Sequence, residues 1–285
     1  MIIAERNDNQ TPELRRHPEP VVGSGKLVGM DAGEALFGPE SVAWRLHAAP
    51  AMLTGGLRAL LLQVWHPLVA DAVASHSEVA RNPWRRYQAT VEFVTDVTYG
   101  DAEVGRAAIN RVRSVHNTVA GVAANGELYS ANDPGLLGYV HATLVDSALR
   151  AAAIYGPRIS PPERDTYVAE MAKVASLLGV EDPPRDAASV SEVLLADPAP
   201  GSTRAGRDLA WLLMLPPLPA WMRPAYGVLF ASAVDLLPRR AAVDLALLPV
   251  WSPARPAVRA ANTALLAGTQ LIANRRRKTT SDVPL

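Results

Sequence analysis

The chain has 285 residues, in which 28 Lys and Arg balance 28 Asp and Glu, and it contains no cysteine. A neutral chain lacks the surplus of positive charge with which nucleic-acid-binding proteins meet phosphates, so we expect no nucleic-acid partner. The lack of cysteine excludes disulfides, thiolate zinc sites, iron–sulfur clusters, thiolate-ligated haem and covalent c-type haem. Any metal must therefore be held by histidine, carboxylate or another nitrogen or oxygen ligand.

The N-terminal region carries no pattern of a signal peptide. Residues 1–20 are polar and have no apolar h-region. Arg15-Arg16 matches a twin-arginine signal only as a dipeptide. The most apolar stretches, 209–222 and 225–251, are broken by proline and charge well short of the ~20 residues that a spanning helix needs. We therefore expect a cytoplasmic protein without a transmembrane segment.

From residue 39 onward the sequence predicts helices. Asn82-Pro83, Asp133-Pro134 and Ser160-Pro161 each place a capping side chain before a proline, Ser160 and Glu163 have the spacing of a capping box, and Asp101 is a further cap. Glycines are expected to end helices at 100, 121, 156 and 179. The predicted helices are 50–64, 66–76, 83–98, 101–120, 134–154, 161–178, 186–196, 203–214, 219–236, 239–248 and 256–276.

This pattern predicts an all-α fold, a single multi-helix globular domain of about ten or more helices. Residues 1–35 are expected to be a flexible lead-in, 36–276 the helical domain and 277–285 a disordered tail. The proline-rich stretch 181–202 is the best internal boundary, but it is too short to separate two domains. A short turn is expected near 125–130, at Asn125-Gly126.

Common catalytic motifs are missing from the sequence. It has no His-Glu-x-x-His, Glu-x-x-His, Gly-x-Ser-x-Gly or Gly-x-Gly-x-x-Gly. Among six histidines, His116 lies on a predicted apolar stripe and His141 at the edge of another. An imidazole that faces a core must be hydrogen-bonded or ligate something, so these are candidate ligands or satisfied core residues. The stripes are Ile109, Val112, Val115 and Val119, and Leu137, Val140, Leu144 and Ala148.

Helix 83–98 carries an arginine on an apolar face. Arg86, Thr90, Phe93 and Val97 share that face by their spacing. A cation there is costly unless it meets an anion such as a carboxylate or a propionate. The alternative is that Arg86 is solvated and pairs with Glu78 or Glu92.

Five segments of the sequence carry a shared pattern, at 62–70, 82–94, 111–121, 129–134 and 140–147. Together they resemble one family, the MpaB-like oxygenases, which include the latex-clearing rubber oxygenases. The resemblance implies an all-helical fold with the globin-like core of latex-clearing proteins and a non-covalent haem b held by a proximal histidine. Characterised members cleave carbon–carbon double bonds of isoprenoid chains with dioxygen.

The resemblance assigns roles to residues of this chain. It implies that His116 is the axial iron ligand and that the family's Arg-x-x-x-Thr pair is Arg86 and Thr90, close to the haem. A second family histidine matches His141, which with Arg86 and Thr90 forms the set of catalytic candidates. Arg113, near His116, is a further candidate to bind a haem propionate.

The sequence also departs from the latex-clearing members. They carry a lysine just before the threonine, where this chain has Ala89. Their acidic base has no clear equivalent, and Asp71 and Glu78 both remain candidates. They are secreted, so the lack of a signal peptide favours a small lipophilic substrate over an extracellular polymer. His66 either marks a helix junction or reaches the distal pocket as a haem-binding residue.

The leading hypothesis is a haem b oxygenase that acts on a lipophilic small molecule with dioxygen. One alternative is an enzyme of the same fold without haem, in which His66, His76, His116 and His141 bind a non-haem metal or act as acid–base groups. Another is a non-enzymatic lipid-binding or scaffold protein, whose apolar C-terminal half forms a lipid cavity or the face of a homodimer.

Overall fold

The computed structural model describes residues 35–76, 83–196 and 201–281. This part of the chain forms twelve α-helices and one small hairpin, which confirms the predicted all-α domain. The elements are α1 Val42–His47, α2 Ala51–Trp65, α3 Pro67–His76, α4 Pro83–Tyr99, α5 Ala102–His116, β1 Ala120–Val122, β2 Leu128–Ser130, α6 Pro134–Tyr155, α7 Pro161–Leu178, α8 Ala187–Ala196, α9 Arg204–Met214, α10 Arg223–Asp235, α11 Arg239–Asp244 and α12 Arg255–Ser281.

The predicted caps of three helices are confirmed. Asp101 accepts from the backbone of Glu103 at the start of α5, and Asp133 does the same for α6. Ser160 forms the full capping box with Glu163 at the start of α7. The end of α7 is a left-handed Gly179 with φ 111°, a conformation that glycine adopts without a Cβ penalty. Asn82 lies outside the described residues.

The predicted helix over 101–120 is wrong at its end, because α5 ends at His116. Gly121 therefore does not end a helix but pairs with Tyr129 in the antiparallel hairpin of β1 and β2. Asn125-Gly126 forms the turn, with Gly126 at φ 86°, which explains why a turn signal lies there. The predicted stripe also fails at Val115, whose side chain is 55% exposed. The buried face of α5 is Ala102, Gly105, Ala108 and Ile109.

Other boundaries differ from the predicted ones. Helix α1 was not predicted; its first two backbone N–H groups donate to the carboxylate of Glu170, 127 or more residues away along the chain. Helices α10 and α11 are shorter than predicted, and α11 ends before Ala246, which has φ 56°. Helix α12 continues past 276 to Ser281. The predicted lead-in through residue 34 lies outside the described residues.

Helices α2 and α6 pack antiparallel and carry polar contacts between them. Gly55 lies against α6 so closely that a Cβ would meet the carbonyl oxygen of Ser147 at 3.1 Å. One turn further along α2, Arg58 is 1% exposed and pairs with Asp146 at 2.7 Å. Towards the end of α2, the Gln63 amide donates to Thr143 Oγ1 at 3.2 Å. The two helices are therefore aligned by specific buried polar contacts as well as by apolar packing.

The chain bends sharply after α2. Helices α2 and α3 meet at 99°, with His66 between them. Among the described residues no single helix is long and apolar enough to cross a membrane, although this bent pair together has sufficient length and composition.

Candidate functional site

Arg86 extends from α4 towards α2. Its Nη2 donates to Gln63 Oε1 at 2.9 Å, and its Nε is buried without a hydrogen-bond partner. Burial lowers the pKa of Arg86 to about 10, so the side chain keeps its charge at neutral pH. Arg86 thus pairs with a neutral amide, not with Glu92, which is exposed. Glu78, the other predicted partner, lies outside the described residues.

His116, the last residue of α5, lies near Arg86. Its Nδ1 is buried and has no hydrogen-bond partner. Burial lowers the pKa of His116, and the positive charge of Arg86 lowers it further. Since a histidine normally titrates near 6.5, both effects keep this imidazole neutral at pH 7 and leave a nitrogen lone pair available for a ligand.

His141, in the middle of α6, is a second imidazole with an unsatisfied nitrogen. It is 6% exposed, and its Nε2 is buried without a hydrogen-bond partner. Burial lowers the pKa of His141 to about 4, so it is neutral at physiological pH. The structure gives no hydrogen bond between His141 and either Arg86 or His116.

Thr90 and Arg113 contact the helical backbone. Thr90 shares the face of Arg86 on α4, and its hydroxyl donates to the Arg86 carbonyl at 2.9 Å. The Thr90 oxygen therefore remains able to accept a hydrogen bond. Arg113 Nη1 donates at 3.3 Å to the carbonyl of Leu177, in the last turn of α7. Arg113 is thus tied to α7, where a cation complements the exposed carbonyls of a helix end.

His66 and Asp71 lie at and after the bend between α2 and α3. The His66 ring is buried against Tyr139, with ring centroids 4.8 Å apart. Both oxygens of the buried Asp71 carboxylate are engaged: Oδ2 accepts from the backbone of Ala124 and Oδ1 accepts from Thr203 Oγ1. Asp71 therefore holds the hairpin and the start of α9 against α3.

His76 has a partner in the hairpin. Its Nδ1 lies 3.2 Å from Tyr129 Oη. The two rings meet edge to face beside Gly121, where a Cβ would lie 2.7 Å from that hydroxyl. Gly121 therefore has no room for a side chain, because a Cβ would collide with the Tyr129 hydroxyl.

The contacts of several polar residues were not predicted from the sequence. Gln63 and Thr143 connect α6 to Arg86, and nothing in a single glutamine or threonine signals such a link. His47 lies between Thr98 Oγ1 and Tyr167 Oη, at 2.7 and 3.0 Å. Its contacts come from residues 51 and 120 positions away, so no local pattern would reveal them.

The model of one family, described as "ER-bound oxygenase mpaB/B'/Rubber oxygenase, catalytic domain", matches residues 44–269. The chain belongs to this family. The matched region contains Arg86, Thr90, His116 and His141. No curated protein and no solved structure matches the chain significantly. Membership in the mpaB/rubber oxygenase family supports an oxygenase-type function.

The described histidines of this mpaB/rubber oxygenase domain do not form a cluster of three or more metal ligands. Within 35–76, 83–196 and 201–281, no group of three or more His, Asp or Glu is placed to hold a metal ion. The alternative of a non-haem metal bound jointly by His66, His76, His116 and His141 therefore finds no cluster in that part of the chain. A haem iron differs in needing only one or two protein ligands.

Proposed function

We propose that the protein is a haem b-dependent oxygenase that cleaves a carbon–carbon double bond of a lipophilic small molecule with dioxygen. The observation that carries the proposal is that His116, a neutral imidazole with an unsatisfied buried nitrogen, lies near the cation of Arg86, whose Nε is also buried and unsatisfied. Unpaired buried polar atoms are costly, so their survival at one place points to a ligand that satisfies them.

The residues present fit a haem. His116 offers a neutral imidazole, which is the form that ligates iron, and the chain has no thiolate that would compete. Arg86 offers an unpartnered Nε–H and a full positive charge for an anionic oxygen. Thr90, on the same face of α4, offers a hydroxyl oxygen that can accept a hydrogen bond. His116 would hold the iron.

When bound, haem would supply the binding and activation of dioxygen, and the protein supplies orientation and electrostatics. The charge of Arg86 favours negative charge on nearby oxygen, and the partial burial of its side chain strengthens that interaction because less water screens it. His141 stays neutral at pH 7, and its buried, unsatisfied Nε2 leaves it able to form a hydrogen bond with a bound ligand.

A lipophilic substrate follows from two supports. The family to which the chain belongs is described as including rubber oxygenase, and rubber is an unsaturated hydrocarbon. In this chain, α2 and α4, the helices that carry Gln63 and Arg86, bury several apolar side chains, and among the described residues no charged group pairs with Arg86. The buried residues are Leu60, Leu61, Leu62, Val64 and Tyr87.

The proposed reaction converts one double bond and one dioxygen into two carbonyl groups, so each product gains one oxygen atom. Haem-loaded protein is incubated with unsaturated isoprenoid and fatty-chain substrates under ¹⁸O₂, and carbonyl products are analysed by mass spectrometry with rapid reduction to prevent exchange. We expect one ¹⁸O in each of the two fragments, and loss of product in His116→Ala. Products formed equally well without dioxygen or without haem would overturn the proposal.

A further inference from the structure

A chain of three polar side chains, two of them buried and the third half-buried, runs from α6 through α2 to α4. Thr143 is fully buried and its hydroxyl donates to the Val140 carbonyl at 2.7 Å. Gln63 is 2% exposed, and its Nε2 donates to Thr143 Oγ1 at 3.2 Å. Its Oε1 accepts from Arg86 Nη2 at 2.9 Å. Each helix contributes one side chain.

The order of donors in this chain is fixed by chemistry. A hydroxyl has one hydrogen, and that of Thr143 is used on the Val140 carbonyl. The Thr143 oxygen can therefore only accept from Gln63, which directs the amide NH₂ of Gln63 towards α6. The amide carbonyl must then face Arg86. Thr143 thus determines which end of Gln63 the guanidinium meets.

Because the acceptor on Gln63 is neutral, it affects Arg86 differently from a carboxylate. The Gln63 carbonyl fixes one nitrogen of Arg86 without neutralising its charge. The buried Nε–H of Arg86 has no partner and remains available. The long side chain of arginine has many rotamers, so without such a tether the ligand itself would have to order Arg86.

We propose that Gln63, oriented by Thr143, is a positioning residue that holds the Arg86 guanidinium ready to donate to an anionic oxygen of the group bound beside His116. The inference rests on the proposed function for the identity of that group. The anionic oxygen is either a propionate carboxylate of haem or a small anion bound at the iron. In both cases the tether removes an ordering cost from binding.

The first test uses the protein without haem. The Nε–H resonance of Arg86, assigned with Arg86→Lys, reports how firmly the guanidinium is held. We expect a slowly exchanging resonance in the wild type and at least about tenfold faster hydrogen exchange in Gln63→Met, which keeps the volume but loses both hydrogen bonds. Gln63→Glu, which keeps an acceptor for Arg86, should restore slow exchange.

Ser147→Ala is the matched control, because it removes another polar contact between α2 and α6, that from Arg58, and leaves Arg86 untouched. A merely structural role of Gln63 would make the control behave like Gln63→Met. Equal exchange at Arg86 in the wild type, Gln63→Met and Ser147→Ala would overturn the proposal. This result does not depend on whether the protein binds haem.

The second test uses haem-loaded protein and separates the two sources of the anion. Haem and haem dimethyl ester, whose propionates are blocked, are titrated into the wild type and Gln63→Met, and fluoride is then titrated into each ferric complex. A loss of about tenfold in affinity for haem but not for the ester identifies a propionate. A similar loss for fluoride identifies an anion at the iron. Unchanged affinity for all three ligands would overturn the proposal.

Failure of the proposed function gives a different result. If the wild type binds neither haem nor its ester, the oxygenase proposal fails. The Arg86 exchange measurement then still decides whether Gln63 positions the guanidinium.

Discussion

Removal of the Arg58 side chain should strongly destabilise the protein. Arg58 is 1% exposed; its Nη2 pairs with Asp146 at 2.7 Å, its Nη1 donates to Ser147 Oγ, and its Nε donates to the Leu236 carbonyl. Removing one partner of a buried ion pair costs about 3–5 kcal/mol, because the other charge is left uncompensated. Arg150 also bonds Asp146, but its side chain is 55% exposed, so it offsets about 1 kcal/mol at most.

We therefore expect Arg58→Met to lower the free energy of unfolding by about 3 kcal/mol. Urea unfolding followed by far-UV circular dichroism should show the midpoint lowered by about 1 M at an unchanged slope. The matched control is Arg150→Met, which removes the exposed partner of the same carboxylate and should cost about 1 kcal/mol or less.

A double variant tests the reasoning further. Arg58→Met with Asp146→Leu removes the uncompensated charge, and apolar replacement of a buried ion pair is often nearly neutral. The double variant should therefore be more stable than Arg58→Met alone. If Arg58→Met and Arg150→Met cost the same, or if Asp146→Leu gives no recovery, the buried pair does not stabilise the α2/α6 packing as argued.

Two further predictions concern His47 and the hairpin. Burial lowers the pKa of His47 to about 4, below the 6.5 of an unfolded chain, so its contribution to stability is complete above pH 6.5 and is lost as the pH falls towards 4. Between pH 7 and pH 4 the free energy of unfolding, measured with urea, should therefore fall by up to about 3 kcal/mol less in His47→Gln than in the wild type. An equal fall in both proteins would refute this. Gly121→Ala places a Cβ 2.7 Å from Tyr129 Oη and should cost about 1–3 kcal/mol by the same assay. Combined with Tyr129→Ala, it should add little further cost, and full additivity would contradict the close contact.

The helix starts were predictable because their signals are local. A capping side chain, a proline and a glutamate three residues later act within one turn, as at Ser160 and Glu163. Helix α1 was not predictable for the opposite reason. Its start is satisfied by Glu170, on α7, and no short window of sequence contains both partners.

The residues of the candidate site also fall into those with a local signal in the sequence and those without one. His116, His141 and Arg86 were found because polar residues on apolar helical faces are conspicuous. Gln63 and Thr143 were missed, since a glutamine on α2 gains meaning only when packing brings α6 and α4 to it. Val115 and Val119 show the limit of periodicity: Val115 is exposed in the last turn of α5, and Val119 lies beyond the end of that helix.

The most direct test of the account is a haem titration of the purified protein followed by its absorption spectrum. We expect a Soret band at a stoichiometry of one haem per chain. In His116→Ala the affinity should fall and the spectrum should lose the features of histidine ligation, with recovery on addition of imidazole. His47→Gln, which changes a residue outside the proposed haem site, should bind haem as the wild type does. A wild type that binds no haem, or a His116→Ala spectrum identical to that of the wild type, would contradict the account.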